Sequence, residues 1–294
     1  MDIQKTLLNS FSCPTQSSFS FEKNSTIGCG GYSPTVYKPT DLQQVKDAVR
    51  RCQKKERKWF VVGNMSNVLP PDGESECDVL SMKGLQKIHI DGEYVTVGAG
   101  VRASKLIATA RQFNLSGVEF LTGIPCTIGG ASYMNAGVSG KYICDIIDTV
   151  YVLRNGECVA LTVNECKYGY KSSCFMQTQD IILGVKLKLK RKNKVFIDDK
   201  LQIYNLRRQH LPKGKSMGCV FKNPEGKISA RLIEGANLKG LRIGGAVISP
   251  KHANFIINEN KATSSDVKSL IAVVKKRVLE QYNLLLEEEI RYLT

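Results

Sequence analysis

The sequence predicts an α+β fold. Strand-like and helix-like periodicities follow one another without the strict alternation of a parallel α/β protein. Glycine- and proline-rich stretches interrupt the middle of the chain, and one long amphipathic helix comes near its end. At 294 residues the chain is long enough for two ordinary domains with sizeable cores.

In order, residues 40–57 place Leu42, Val45 and Val49 on one helical face and open with a Thr-Asp cap signal. Residues 59–62 form a short apolar strand that runs into Gly63-Asn64-Met65-Ser66-Asn67. Strands and turns fill 77–97, and 103–113 are helical. Residues 146–153 and 158–163 alternate around Asn155-Gly156, a hairpin signal. Residues 181–189 alternate Val185, Leu187 and Leu189 with lysines, as a half-exposed strand does. The charged stretch 190–200 reads as a boundary. Beyond it come strands at 219–221, 242–248, 253–258 and 284–292, a helix at 228–234, and the long helix at 264–282. The division expected is 1–75, 76–192 and 193–294.

Composition excludes some functions. With 42% hydrophobic and 23% charged residues the chain is globular, with no run long enough to span a membrane and no export signal at its start. It is expected in the cytoplasm. Its ten cysteines form no CxxC pair and no zinc or iron–sulfur spacing, so no metal site is expected and most thiols read as small buried hydrophobes. The net charge of +15 suits anionic small molecules, a nucleic-acid groove or a solvated basic surface. Few aromatics accompany the cations, so nucleic acid is not expected.

Residues 123–137 (GIPCTIGGASYMNAG) are glycine-rich and contain a proline, which argues against an ordinary helix or central strand. Bare backbone N–H groups suit a cofactor-cradling loop, and a run of tight turns has the same composition. Gly98-Ala99-Gly100-Val101-Arg102-Ala103 matches the dinucleotide pattern G-x-G-x-x-A, with Glu119 where a ribose-binding acid belongs. The residues after Glu119 nevertheless break into glycine loops instead of continuing a βαβ series. Cys219 stands beside Gly218 at a strand start, close to Lys222 and Asn223. A thiol near its reference pKa of about 8.5 suits a proton donor better than a nucleophile. His89, His210 and His252 offer no triad pattern for a protease.

Together these segments resemble the UDP-N-acetylenolpyruvoylglucosamine reductases in their shorter form, from about residue 24 onward. The marks are Ser25–Gly31 (STIGCGG), Val62–Leu69 (VGNMSNVL), 123–137, and Tyr168–Phe175 (YGYKSSCF). In the C-terminal half they are Gly218–Pro224 (GCVFKNP), Leu232–Asn258 and Leu286–Arg291 (LEEEIR). The resemblance implies a two-subdomain FAD-binding unit of the vanillyl-alcohol-oxidase (PCMH) type, followed by a C-terminal α+β substrate-binding domain. It implies FAD and NADPH as cofactors and a UDP-sugar enolpyruvyl ether as substrate, reduced by a cytoplasmic monomer of peptidoglycan synthesis. By resemblance Gly63, Asn64, Met65, Ser66, Asn67 and Val68 bind the flavin. So do Gly123, Ile124, Pro125, Thr127, Gly129, Gly130, Asn135 and Gly137. Cys219, Lys171 and Glu289 take the catalytic positions, and Tyr170, Lys222 and Asn223 the substrate contacts. Lys171 replaces the family's arginine, and Met65 and Cys126 replace glycines. A Cβ at a left-handed position costs about 1–2 kcal/mol. The alternative reading is a degenerate paralogue that binds flavin or a nucleotide-sugar without turnover.

Overall fold

The computed structural model describes Ser12–Leu293. Residues 1–11 and Thr294 lie outside the described residues, and the expectation of no export signal rests mostly on residues that lie there. The chain runs β1 (Thr15–Ser20), α1 (Phe21–Asn24), β2 (Tyr32–Tyr37), α2 (Leu42–Lys54), β3 (Trp59–Val62), β4 (Val68–Leu69) and β5 (Asp78–Ser81). Next come β6 (Ile88–Asp91), β7 (Tyr94–Gly98), α3 (Ala103–Gln112), β8 (Leu115–Ser116), α4 (Ile128–Tyr133), β9 (Gly137–Val138) and β10 (Lys141–Tyr142). Then follow β11 (Ile147–Arg154), β12 (Glu157–Thr162), β13 (Ile181–Lys188), β14 (Lys190–Arg191) and α5 (Lys194–Arg208). The last elements are β15 (Lys215–Cys219), α6 (Ser229–Gly235), β16 (Arg242–Ile243), β17 (Ala246–Ile248), β18 (Phe255–Asn258), α7 (Ser264–Tyr282) and β19 (Arg291–Tyr292).

The described residues divide into two compact units, each with its own apolar core. The first comprises 12–16, Thr35–Asn64 and Asp78–Gln209; the second comprises Ser17–Pro34, Met65–Cys77 and 210–293. The charged stretch at 190–200 folds as β14 and the start of α5, whose first turn Asn193 caps by accepting from the Phe196 N–H (2.9 Å). The break between the units comes later, after Gln209.

In the first unit β2, β5 and β3 pair in parallel, with Val36 opposite Val79 and Phe60 opposite Val79 on the other side. α2 buries Val45, Ala48 and Cys52, three residues at helical spacing. A five-stranded antiparallel sheet has the order β12-β11-β13-β7-β6. Asn155 and Gly156 both take positive φ (+50° and +82°), the type I′ geometry that joins β11 to β12. β7 runs antiparallel to both its neighbours, so the G-x-G-x-x-A segment does not open a Rossmann unit. Its glycines serve packing instead: a Cβ on Gly98 would strike the Leu85 carbonyl, and one on Gly100 the Met82 carbonyl. Glu119 is buried and turned back on its own loop, where it accepts from the Gly117 N–H (2.8 Å).

The glycine-rich segment holds a helix after all, the six-residue α4. Thr127 caps it by accepting from Gly130 (3.4 Å), and Gly129 lets it press on Ala99, which a Cβ would approach to 2.7 Å. Packing here outweighs the low helix propensity of glycine.

The second unit is built on an antiparallel sheet of order β15-β18-β17-β16, with β17 and β18 buried throughout. α7 matches the sequence reading residue for residue and buries Val267, Leu270, Ile271, Val274 and Val278 behind a Thr263/Asp266 capping box. Three expected strands are corrected. Residues 242–248 form a hairpin turning at Gly244 (φ +52°), and the strand expected over 284–292 is only β19, paired in parallel with β4. The strand expected at 219–221 instead ends at Cys219, after a register shift that contains Gly218 at φ +79°.

Candidate active site

The Gly63–Val68 loop is shared between the units: Gly63 and Asn64 belong to the first, Met65–Val68 to the second. In the first unit, Gly63 and Asn64 meet the 123–137 segment. The Asn64 amide donates to the Pro125 carbonyl (2.7 Å), and Gly63 backs onto the Thr127 hydroxyl, where no Cβ would fit. Ile128 and Gly129 donate backbone N–H bonds to Val101 (2.8 Å) and Ala99 (2.9 Å). Gly137 is pressed against Tyr142, while Gly130 has only the Thr127 hydroxyl, at 3.4 Å, near its missing Cβ. Gly123 is exposed, with φ +70° and the Arg208 side chain 2.5 Å from where a Cβ would stand. Ile124 is half-buried, Pro125 exposed and Thr127 buried.

Cys126 is buried, and burial pushes its thiol up to about 12. Its backbone is not in the left-handed region, so the glycine it replaces leaves no strain behind. Met65 differs. It stands at φ +50°, where a Cβ is costly, and its side chain is buried.

The Tyr170-Lys171 pair forms the centre of a tight turn closed by reciprocal backbone bonds between Gly169 and Ser172 (3.1 and 3.3 Å). Lys171 takes φ +53°, and Tyr170 is 44% exposed. Three side chains tie this turn to α4 and its exit. The Asn135 amide donates to the Gly169 carbonyl (2.8 Å) while its oxygen accepts from the Cys144 N–H (3.3 Å). Ser132 and the Tyr168 hydroxyl are 2.8 Å apart, and Ser173 donates to the Tyr133 carbonyl (2.6 Å). Asn135 is buried with φ +45°, so its amide is committed to the protein at both ends.

In the second unit Cys219 is half-buried at the end of β15, opposite Phe255. Glu289, also half-buried, donates its backbone N–H to the Val220 carbonyl (2.8 Å). The two candidate proton-handling groups are thereby brought to neighbouring rungs. Lys222 donates its N–H to the Glu287 carbonyl (2.8 Å) and pairs with the Glu287 carboxylate. The exposed Asn223 accepts from the Ser229 N–H (3.0 Å), an N-cap-like bond at the start of α6. Ser66, Asn67 and Val68 are half-buried, Val68 within β4. Of the acidic run, Glu287 is exposed and Glu288 is held by Lys275 (2.8 Å) and the Tyr292 hydroxyl.

Sequence reasoning missed the supports. Asn254 fixes the stretch after Cys219: its carbonyl accepts from Val220 (2.9 Å), its side chain accepts from Phe221 (2.9 Å) and donates back to the Phe221 carbonyl (2.8 Å). The signal was an asparagine at the head of the apolar run Phe255–Ile257. Ser132, Tyr168 and Ser173 gave no signal beyond their place in quoted motifs.

Chemically, the first unit offers two convergent glycine loops whose partly exposed backbone at Gly123 and Gly130 suits close approach by an extended dinucleotide. Beside them stands a cation on a tethered turn. FAD fits this set of glycine backbones. Among the described residues no group of three or more His, Cys, Asp or Glu could hold a metal ion, and no helix is long and apolar enough to cross a membrane.

Comparison with known proteins places the site in a family. The FAD binding domain family matches residues 34–162, and the C-terminal domain of UDP-N-acetylenolpyruvoylglucosamine reductase matches 209–293. The Clostridium botulinum (strain Okra) reductase is 34% identical over 275 residues, covering 92% of this chain and 89% of the relative. The Chloroherpeton thalassium reductase is 36% identical over 286 residues, covering 93% and 91%. The crystal structure of the Thermus caldophilus reductase superposes with a TM-score of 0.81 at 33% identity, over 95% of this chain and 98% of that one. An FAD-binding domain followed by the reductase-specific C-terminal domain, matched along nearly its whole length, means that this chain belongs to the UDP-N-acetylenolpyruvoylglucosamine reductase family of oxidoreductases.

Proposed function

We propose that the protein is a cytoplasmic, monomeric, NADPH-dependent flavoenzyme. It reduces the enolpyruvyl ether of UDP-N-acetylglucosamine to UDP-N-acetylmuramate for peptidoglycan synthesis. The observation that carries this reading is the meeting of Gly63-Asn64 with the 123–137 loop in the first unit, with the Lys171 turn tethered to the same loop. Gly63, Asn64, Met65, Ser66 and Val68, with Gly123, Ile124, Pro125, Thr127, Gly129, Gly130 and Gly137, would hold the cofactor; Asn67, expected to join them, has its side-chain amide committed to the Glu289 carbonyl (3.0 Å) instead. Asn135 contributes by fixing the turn.

When bound, FAD supplies the hydride relay between NADPH and the enolpyruvyl double bond. Every other part is played by side chains. Lys171 presents its ammonium to the substrate carboxylate and stabilises the negative charge that grows there as the alkene is reduced. Cys219 keeps a proton on Sγ and gives it to the carbon bearing the carboxylate, so the alkene gains one hydride and one proton. Glu289 is the second acid–base group, on the rung beside Val220. Tyr170, Lys222 and Asn223 contact the nucleotide-sugar.

The test is spectroscopic. The purified protein, incubated with FAD, should show the visible flavin band, lose it on addition of NADPH and regain it with the enolpyruvyl sugar under anaerobic conditions. Absence of flavin absorbance after incubation overturns the reading.

A further inference from the structure

The backbone of Glu289 is committed on both sides. Its N–H donates to the Val220 carbonyl (2.8 Å), the rung next to Cys219. Its carbonyl accepts, from the opposite direction, the side-chain amide of Asn67 (3.0 Å). Asn67 also accepts from the Arg291 N–H (2.9 Å), and the parallel β4–β19 ladder begins there, with Val68 opposite Arg291 and Leu69 opposite Tyr292. The Asn67 side chain thus adds a rung that the backbone does not supply. It reaches Glu289, two residues before Arg291, where no strand pairing with β4 exists.

The chain upstream is held as well. Met65 holds a left-handed φ of +50° two residues before Asn67, and the Met65 carbonyl accepts from the Thr26 N–H (3.4 Å). On the other flank, Glu288 is fixed by Lys275 (2.8 Å) and Tyr292. Glu288 and both backbone groups of Glu289 are thus held in place.

We propose that Asn67 is a positioning residue for Glu289: its amide sets the place of the glutamate relative to the Cys219 rung. It does so as a structural partner of Glu289, and not as a flavin ligand. This rests on the reductase reading above, in which Glu289 takes part in protonating the substrate. A loss of Asn67 therefore affects the second half-reaction and spares the first.

Asn67→Ala removes the donor without adding charge. The experiment measures FAD affinity by fluorescence titration, flavin reduction by NADPH, and flavin reoxidation by the enolpyruvyl sugar, the last across pH. Expected are FAD affinity and reduction within about twofold of the parent, and reoxidation slowed about 10- to 100-fold with an altered pH profile. A loss of FAD affinity that accounts for the slower reoxidation overturns the proposal, as does an unchanged reoxidation rate and pH profile. If Asn67→Ala melts too early to assay, Asn67→Ser, whose side chain is too short to span the contact, decides on the same readings. Failure of the parent protein itself to bind flavin would instead strike the reductase reading.

Discussion

The two units hold their candidate catalytic groups by different means. In the first, Lys171 stands on a four-residue turn whose hold on α4 depends on side chains: Asn135, the Ser132–Tyr168 pair and Ser173. In the second, Cys219 and Glu289 stand on segments stitched by main-chain bonds, from Val220 to Asn254 and from Glu289 to Val220, with the Asn67 and Asn254 side chains adding to them. A main-chain rung survives almost any substitution, whereas a side-chain tether can be removed by one. Sensitivity to mutation in the first unit should therefore lie in the tethers as well as in the reacting group. In the second it should lie in the reacting groups and in two asparagines, Asn67 and Asn254.

The largest effect expected is on chemistry in the second unit. Cys219→Ala should leave NADPH-driven bleaching of the flavin intact and slow reoxidation by the enolpyruvyl sugar by about 10²- to 10⁴-fold. Its urea midpoint should move little, because β15 is held through Lys215, Ser216 and Cys219 by backbone pairing with β18. Full-rate reoxidation would remove Cys219 from the mechanism.

Asn135→Ala probes the opposite kind of support. It strands the Gly169 carbonyl and the Cys144 N–H, and it places an alanine at φ +45°. Two lost hydrogen bonds, together with the loss of asparagine's tolerance of the left-handed region, should cost about 2–4 kcal/mol in urea unfolding. Reoxidation should slow in parallel as the Lys171 turn loosens. Asn135→Gly should recover only the backbone part. If Asn135→Ala matches the parent in both stability and reoxidation, the contrast between the units collapses.

Much of the fold was legible because its signals are local. α7 announces itself by Val267, Leu270, Ile271, Val274 and Val278 at helical spacing, and the β11–β12 hairpin by Asn155-Gly156. The segment after Leu284 was misread because its partners, Val220–Lys222 and Asn67–Leu69, are remote in sequence, and no periodicity encodes them. α4 was missed because glycine propensity argues against a helix that close packing on Ala99 requires. At the site, Cys219, Lys171 and Glu289 stood out through family motifs. The contacts of Asn135 with Gly169 and of Asn67 with Glu289 span 34 and 222 residues, so their function is visible only in space.

The two replaced glycines sharpen the comparison at lower cost. Cys126 has an ordinary backbone and a buried thiol, so Cys126→Gly loses burial and adds unfolded-state freedom with nothing gained, about 2 kcal/mol. Met65→Gly also loses burial, about 1.5–3 kcal/mol, but relieves about 1–2 kcal/mol of left-handed strain. It should come out near 1 kcal/mol destabilised. Thermal or urea unfolding that ranks Met65→Gly as the more damaging would show that φ +50° at Met65 carries little strain.

Lys171→Arg should have the smallest effect, and it isolates one variable. Both residues carry a Cβ and an unbranched stem, so both bear the same cost at φ +53°, and the turn closed by Gly169 and Ser172 has no reason to change. What differs is the head group: an ammonium offers a point charge, while a guanidinium offers a planar fork suited to a carboxylate. One additional N–H···O contact to the substrate carboxylate is worth about 1 kcal/mol, about a fivefold gain in the reoxidation half-reaction. Flavin reduction by NADPH and the unfolding midpoint should be unchanged, which separates a head-group effect from a loosened turn. A gain or an equal rate assigns Lys171 the cation's role. A large loss at constant stability would mean that the pocket is shaped around lysine, with the arginine's extra bulk displacing the very carboxylate it was meant to hold.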